Sequence, residues 1–349
     1  MSKHVDLPRS FPEVCLLSNG NYSVMLTTSG GGYSALKGMD VTRWREDVTC
    51  DCWGQYCYIR NLNDSRVWSV GRQPLGRNAD HYEAILRPDR ATIRRRDGKV
   101  ETCYEVAVSP DVDAEVRRVT LTNSSDRLCK LEVTSYAEIA LNPRRADQAH
   151  PAFAKLFLET EYHAASGALL CRRRPRTHDQ PPIWALHTLA SKVAHEVEYE
   201  TDRARFLGRG RSTRNPAALD IGAVLSGTVG SVLDPVFSLR QRISIEPGAS
   251  TALAFTTAAP EDRRQALAMA ALFGNLETGD DVFKETAASN TAQRAELGLT
   301  PGDAALFQRL AAPILFSARF CVRASPSVGT VSANRHFGRT ASRATCQLR

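Results

Sequence analysis

Hydrophobic and polar residues alternate along most of the first 250 residues, and a period of two is the period of a β-strand. In residues 101–110, Tyr104, Val106 and Val108 fall on one face, and residues 114–123 alternate in the same way. Turn-forming stretches separate such segments at residues 18–21, 96–99, 123–126 and 246–250. Antiparallel strands spread over so much sequence do not remain one open sheet. The pattern therefore predicts a large two-sheet sandwich.

After residue 257 the apolar residues recur with a helical period instead. Residues 260–274 place Ala266, Met269, Ala270 and Phe273 on one helix face. Residues 280–298 are expected to continue as a helix, and residues 300–317 open on the cap-like pair Thr300 and Pro301. Apolar side chains recur four apart in this last segment at Leu306, Leu310 and Ile314. The predicted fold class is mainly β, with a group of α-helices after the sandwich.

The composition is that of a globular protein, with 42% hydrophobic and 24% charged residues. No apolar run approaches the ~20 residues that a membrane-spanning helix needs, so no membrane segment is predicted. The first 14 residues have no apolar core of the signal-peptide type. We therefore expect a cytoplasmic chain.

The positive charge is concentrated in residues 318–349, which contain no lysine, aspartate or glutamate. Removing the six arginines of this segment lowers the formal net charge from +7 to +1. The basic stretches 171–176 and 202–211 are expected to be solvated loops. No nucleic-acid partner is predicted, because the remainder of the chain is nearly neutral.

The cysteines and the scattered acidic residues show no complete catalytic or metal site. Cys50, Cys52 and Cys57 lack the paired second half of a zinc motif, so ordinary buried thiols are favoured over a metal site. Asp147 and His150 share a loop, but no serine or cysteine is placed beside them to form a triad. The sequence therefore predicts no catalytic residue, no metal site and no cofactor.

Two stretches near the N-terminus are candidates for ligand contact. Residues 27–36 (TTSGGGYSAL) contain three consecutive glycines, and a strand crossing where a Cβ would clash is favoured over a phosphate loop. Residues 41–54 (VTRWREDVTCDCWG) interleave aromatic and charged side chains. Sugars bind such surfaces, since aromatic faces pack on C–H groups while guanidinium and carboxylate groups bond hydroxyls. A salt-bridged loop would have the same sequence, and both interpretations stay open.

The stretch LLSNGNYSVMLTTSGGGYS (16–34), followed by VTRWRED (41–47), resembles the N-terminal β domain of glycosyltransferase family 36, now glycoside hydrolase family 94. The stretches TDRARFLGRGRSTRNPAAL (201–219) and LFQRLAAPILFS (306–317) are similar as well. Within this family the sequence is most similar to the phosphorylase-like C-terminal region of cyclic β-1,2-glucan synthases. The resemblance implies a β supersandwich like that of galactose mutarotase, joined by linker helices to an (α/α)6 barrel. In the intact family that barrel carries the general acid, and inorganic phosphate is the co-substrate.

The resemblance implies an extension (1–15), a supersandwich (16–257), linker helices (258–317) and an aberrant tail (318–349). The function implied is a carbohydrate-binding or supporting domain of an inverting phosphorylase or glycosyltransferase, inactive alone because the sequence stops before the barrel. Its partners would be a β-linked glucan or oligosaccharide, and either a second copy or the missing barrel. The alternatives are a stand-alone carbohydrate-binding or structural module and one half of a split glycosyltransferase. The candidate sugar contacts are Gly31, Gly32, Tyr33, Arg43, Trp44 and Asp47.

The tail is expected to be disordered and to arise from a frameshift near residues 317–318. If each codon is read from its third base, residues 332–348 permit the string RQSxLWAHGISGDLPI. That string resembles the motif at the start of the family's barrel. The hypothesis fails if the coding DNA does not encode LWAHGISGDLP in that frame.

Overall fold

A computed structural model of the chain describes residues 3–4, 13–47, 53–175, 182–193 and 196–316. The tail (318–349), with its frameshift hypothesis, lies outside the described residues, and so do Cys50 and Cys52. Strands occupy most of the described chain up to Ala258, and helices follow them. This order confirms the predicted fold class.

The first of two antiparallel sheets has nine strands among the described residues. Its long central strands pair without interruption, because alternating apolar residues keep one face buried along their whole length. In spatial order the strands are β1 (Lys3–His4), β8 (His81–Leu86), β9 (Ala91–Asp97), β10 (Val100–Val108), β11 (Ala114–Asn123), β18 (Ser250–Ala258), β15 (Ile183–Ser191), β14 (Ala168–Arg173) and β13 (Leu158–His163).

The second sheet also has nine strands in the described part of the chain. It is organised around one strand of 15 residues, β12 (Cys129–Pro143), which pairs with β17 (Pro235–Ile245) along one side. The other side of β12 pairs with β6 (Tyr56–Asn61) and then with β5 (Met39–Thr42). The remaining strands are β2 (Val14–Ser18), β3 (Tyr22–Thr27), β4 (Gly32–Leu36), β7 (Val67–Ser69) and β16 (Glu198–Asp202).

The main apolar core lies between the two sheets and draws residues from both. Tyr104, Val106 and Val108, predicted to share a face of β10, are all buried in it, together with Leu131 of β12 and Phe237 of β17. These contacts confirm the sandwich.

A polar layer is enclosed within this core. Glu115 is fully buried and accepts hydrogen bonds from Gln55 (Nε2–Oε1 2.7 Å) and Arg117 (Nη2–Oε2 2.8 Å). His187 is bonded on both ring nitrogens, to Ser135 Oγ at 2.9 Å and to Thr257 Oγ1 at 3.0 Å. Burial, with a further contribution from the charge of Arg117, lowers the pKa of His187 to about 3. We call Glu115, Arg117 and His187 the interior polar layer.

Two helices, α4 (Arg263–Phe273) and α5 (Leu276–Glu296), pack against the outer face of the first sheet. Helix α4 begins where the Asp262 side chain accepts a hydrogen bond from Gln265 N at 2.7 Å, which caps its first turn. Its buried residues are Ala266, Met269, Ala270 and Phe273, as the helical period predicts. No helix in the described ranges is long and apolar enough to cross a lipid bilayer.

The last helix, α6 (Pro301–Leu315), contacts strand β2 of the second sheet. Thr300 and Asp303 form the capping box that starts it. The Gln308 side chain donates to Leu16 O and accepts from Leu16 N, both at 2.7 Å. The predicted apolar stripe of this helix faces outward, as expected for linker helices without their barrel, and Leu306, Phe307, Leu310 and Ile314 are between 44% and 77% exposed.

The two basic stretches are not simple loops, and this prediction was wrong. Residues up to Arg173 belong to strand β14, and Arg203–Leu207 forms the short helix α3. Pairing with acidic neighbours accounts for both, since Arg172 Nε donates to Glu159 at 2.7 Å and Arg203 pairs with Glu138. Two further short helices, α1 (Arg144–Ala149) and α2 (Pro151–Lys155), follow strand β12.

Candidate functional site

The three glycines form a tight turn between strands β3 and β4. Gly32 has φ +150°, and a Cβ there would lie 1.9 Å from the carbonyl oxygen of Met25. Gly71 crosses the same turn so closely that its Cβ would lie 2.9 Å from the Cα of Gly30. A strand follows the glycines rather than a helix, which excludes a phosphate loop. The predicted backbone crossing is confirmed, and Gly31 and Gly32 contribute backbone alone.

Directly after the turn, Tyr33 packs in a cluster of aromatic side chains, which we call the Tyr33 stack. The Tyr33 and Trp44 rings have centroids 5.7 Å apart, and Trp44 meets Phe316 edge-on at 5.5 Å. The Arg144 guanidinium lies 4.0 Å from the Tyr33 ring centroid and is held there by two 2.9 Å hydrogen bonds to Asp40. Trp44 is 3% exposed, and its buried indole nitrogen has no hydrogen-bond partner among the described residues, whereas Tyr33 is half-buried.

Arg43 is the centre of a charged network beside this stack. Its Nε and Nη2 atoms each lie 3.0 Å from a carboxylate oxygen of Asp147 in helix α1, and its Nη1 lies 3.3 Å from Glu138 of strand β12. Arg43 itself is 3% exposed. Arg45 reaches the same Asp147 at 2.7 Å, because side chains two residues apart in an extended segment point to the same side.

The network continues toward the surface through helix α3. Glu138 accepts from Arg203 Nε at 2.7 Å and from the Tyr136 hydroxyl at 3.0 Å. Asp234 pairs with Lys155 at 2.7 Å and with Arg203 at 3.6 Å. We call this set of ion-paired residues the Arg43 network; it consists of Arg43, Arg45, Glu138, Asp147, Lys155, Arg203 and Asp234.

Glu138 and Asp147 of this network stay ionised because of their partners. Burial alone would raise the pKa of Glu138, but Arg203 and Arg43 hold that pKa below its ordinary value. Burial opposes ionisation of Asp147 too, and hydrogen bonding and charge from Arg43 and Arg45 lower its pKa. Two buried carboxylates that both remain charged are not suited to proton donation, and their oxygens are bonded by arginines of the network.

The structure places Tyr33 against Trp44, next to the turn of Gly31 and Gly32 and the Arg43 network. Arg43 and Trp44 are buried, while Asp47, at the end of the same extended segment, is half-buried. The salt-bridged interpretation is confirmed for Arg43 and Arg45, and the sugar-contact interpretation stays a prediction. Across the described ranges, no group of three or more histidine, cysteine, aspartate or glutamate side chains is arranged to hold a metal ion.

Arg144, Asp147 and Glu138 were not recognised from the sequence as parts of this site. Asp147 was considered only as a partner of His150, whereas it pairs with two arginines about 100 residues earlier in the chain. The spacing of Arg43 and Arg45 could have predicted a shared carboxylate partner, since two guanidinium groups on the same side of a buried segment require one.

Comparison with known proteins places these elements in a family. Residues 3–276 match the model of the glycosyl hydrolase 94 supersandwich domain. The chain is 36% identical over 302 residues to cyclic beta-(1,2)-glucan synthase NdvB of Rhizobium meliloti (strain 1021), covering 85% of this chain and 11% of that protein. It is 23% identical over 244 residues to N,N'-diacetylchitobiose phosphorylase of Vibrio proteolyticus, covering 68% of this chain and 30% of that protein.

A solved structure is also similar, that of a galactose mutarotase related enzyme from Lactobacillus acidophilus. The TM-score is 0.39 at 10% identity, over 71% of this chain and 97% of that one. The chain thus spans about a tenth of the synthase and less than a third of the phosphorylase it matches.

Proposed function

This chain belongs to the glycosyl hydrolase 94 supersandwich-domain family, and from that premise we propose that it is the carbohydrate-binding or supporting domain of a cyclic β-1,2-glucan synthase-like phosphorylase or glycosyltransferase. The observation that carries the proposal is the Tyr33–Trp44–Arg144 stack beside the Arg43 network. An aromatic surface next to fixed guanidinium and carboxylate groups matches the two faces of a sugar ring.

In this proposal the site divides into contact and support. Half-buried Tyr33 and Asp47 contact a β-linked glucan, while Arg43 and Trp44 hold the segment in place from below. Gly31 and Gly32 allow strand β4 to pass close to its neighbours, which fixes the position of Tyr33. Chemistry on the glucan, with inorganic phosphate as co-substrate, is assigned to a separate barrel domain.

The outward face of helix α6 supports the need for another domain. Leu306, Phe307, Leu310 and Ile314 expose apolar surface, which costs free energy in water unless something covers it. We assign residues 16–257 to the sugar-binding sandwich and residues 258–317 to helices that link it to a barrel, encoded in the same or another chain. The alternative is that a second copy of this chain covers the apolar face of helix α6.

The proposal is tested by titrating β-1,2-glucan into the purified chain and measuring binding by calorimetry. We expect Tyr33→Ala to weaken binding by about tenfold, because an aromatic contact contributes about 1 kcal/mol or slightly more. Phe307→Ala removes an exposed aromatic side chain outside the stack and should leave the affinity unchanged. No binding by the unaltered chain, or equal losses in the two variants, would contradict the proposal.

Activity provides a separate readout. The chain alone should form no sugar phosphate from β-1,2-glucan and inorganic phosphate, since its network holds both carboxylates ionised. Formation of sugar phosphate by the isolated chain would place catalysis in the sandwich and overturn the division of labour proposed here.

A further inference from the structure

A second polar pocket lies apart from the Arg43 network, where strand β7, residues 77–80 and the turn between β9 and β10 meet. Its volume is about 160 Å³. The lining side chains that matter here are Arg66, Trp68, Arg77, Asn78, Asp80 and Asp97. We call it the Trp68 pocket, and it shares no residue with the site described above.

The walls of the pocket are fixed by a buried arginine. Arg95 is 2% exposed and donates to Gly71 O at 3.1 Å and to Arg77 O at 3.2 Å. The same guanidinium forms a two-point ion pair with Asp97, at 2.6 and 2.8 Å. Asp80 accepts from Gly98 N at 2.7 Å, which ties residues 77–80 to the turn. The pocket is therefore organised before any ligand arrives.

Several polar groups at this pocket are unused within the described part of the chain. Arg77, Asn78 and Asp80 are exposed, and in the described part of the chain the Arg77 guanidinium and the Asn78 amide form no hydrogen bond or ion pair, while one carboxylate oxygen of Asp80 is bonded. Trp68 is 2% exposed, and its indole N–H is buried without a partner. Buried polar groups normally find partners, and this donor belongs to a residue that lines the pocket. The pocket offers donors and acceptors side by side.

The charges of the pocket narrow the ligand class. Arg66 is paired with Asp64 at 2.8 Å and Asp97 with Arg95, while Arg77 faces the same space as Asp80. Such a balance disfavours an anion, which the carboxylates repel, and a cation, which the guanidinium groups repel. A hydroxyl group both donates and accepts, so neighbouring hydroxyls fit a wall that presents both functions.

We propose that the Trp68 pocket binds one ring of a neutral sugar, as a second carbohydrate position on this chain. A pocket of about 160 Å³ suits a single ring rather than an oligosaccharide. Arg77, Asn78 and Asp80 bond the hydroxyls, and Arg95 acts as a positioning residue that holds the walls.

The experiment is calorimetric titration of the full chain with D-glucose and, in a second arm, with inorganic phosphate. The indole N–H resonance of Trp68 reports where the ligand binds. We expect glucose to bind and to shift that resonance, and Arg77→Ala to weaken the binding by about tenfold through loss of charged hydrogen bonds. Asn78→Ala should weaken it less. Arg96 lies on strand β9, like Arg95, and its exposed side chain does not line the pocket. Arg96→Ala should therefore leave glucose binding unchanged.

Three results would overturn this inference. They are absence of glucose binding with an unmoved Trp68 resonance, equal losses in Arg77→Ala and Arg96→Ala, and phosphate binding that displaces the sugar. Tyr33→Ala separates the two sites, because it should leave the Trp68 resonance shift intact. If Arg77→Ala weakens glucose binding while Tyr33→Ala leaves β-1,2-glucan binding unchanged, the pocket stands and the proposed function of the Tyr33 stack falls.

Discussion

The interior polar layer and the Arg43 network are both built from arginine–carboxylate pairs, but they differ in access to solvent. Glu115 and Arg117 are 0% and 4% exposed, and protein atoms satisfy them from every side. In the Arg43 network, the Arg45 and Arg203 side chains are 21% and 32% exposed. The sealed layer determines how the two sheets pack, whereas the open network retains surface that a ligand can reach. Similar residue types thus serve packing in one region and, under the proposed function, recognition in the other.

The sealed layer should show the largest loss of stability. We expect Glu115→Ala to lower the free energy of unfolding by about 4 kcal/mol, because it leaves Arg117 charged and buried without its carboxylate. Urea unfolding followed by circular dichroism measures this. Asp126→Ala, which breaks an ion pair that is fully solvated, should change stability by less than about 0.5 kcal/mol. Similar values for the two variants would contradict the distinction between sealed and open pairs.

Acid should destabilise the sealed layer first. His187 is neutral in the folded chain because its pKa is lowered from 6.5 to about 3, so the unfolded chain binds a proton more readily below pH 6.5. Stability is then complete above pH 6.5 and falls by about 1.4 kcal/mol per pH unit well below it. Unfolding free energies measured at neutral pH and near pH 4.5 should differ by about 2–3 kcal/mol. Below that range, the lowered pKa values of Glu138 and Asp147 add further loss as their ion pairs are protonated.

His187→Gln is the control for this pH dependence. The variant removes the titrating group and should flatten the stability profile between pH 6.5 and about 4.5, whatever its stability at neutral pH. A profile as steep as that of the unaltered chain would assign the acid sensitivity to other groups.

The open network should show the smallest change in stability and a larger change in binding. Arg45→Ala should cost about 1–2 kcal/mol of unfolding free energy, since Asp147 keeps its two hydrogen bonds from Arg43. Under the proposed function it should also weaken β-1,2-glucan binding measured by calorimetry. Arg242→Ala removes another half-exposed arginine, paired with Glu132 and Glu198, and serves as the matched control. If both variants bind glucan equally well, the open network has no role in recognition.

Local sequence patterns predicted the elements of the fold well. The alternation in residues 114–123 corresponds to strand β11, and the spacing of Ala266, Met269, Ala270 and Phe273 corresponds to the buried face of helix α4. These predictions succeed because strand and helix periods are read from neighbouring residues and report which side meets the core. The apolar stripe of helix α6 was predicted from the same kind of spacing, and the exposure expected for it in the absence of a barrel is confirmed at Leu306, Leu310 and Ile314.

The site was less predictable, because its contacts join distant parts of the chain. The interleaved aromatic and charged residues of stretch 41–47 predict a ligand contact or a salt-bridged loop. The carboxylate partners of this stretch lie on strand β12 and helix α1, far away in sequence. Nothing in residues 144–149 distinguishes Asp147 from a surface aspartate until the sandwich brings it beside Arg43. Polar pairs of this kind have no sequence period, and only the folded chain identifies them.

The amide of Gln308 has a consequence for the solution behaviour of the molecule. Strand β2 is an edge strand of the second sheet. The backbone N–H and C=O groups of Leu16 point away from its neighbour, strand β3, toward the open edge. The Gln308 side chain forms hydrogen bonds with both groups. It therefore occupies the position at this edge where a strand of a neighbouring molecule would pair. We therefore expect Gln308, on helix α6, to hinder intermolecular β-pairing at strand β2.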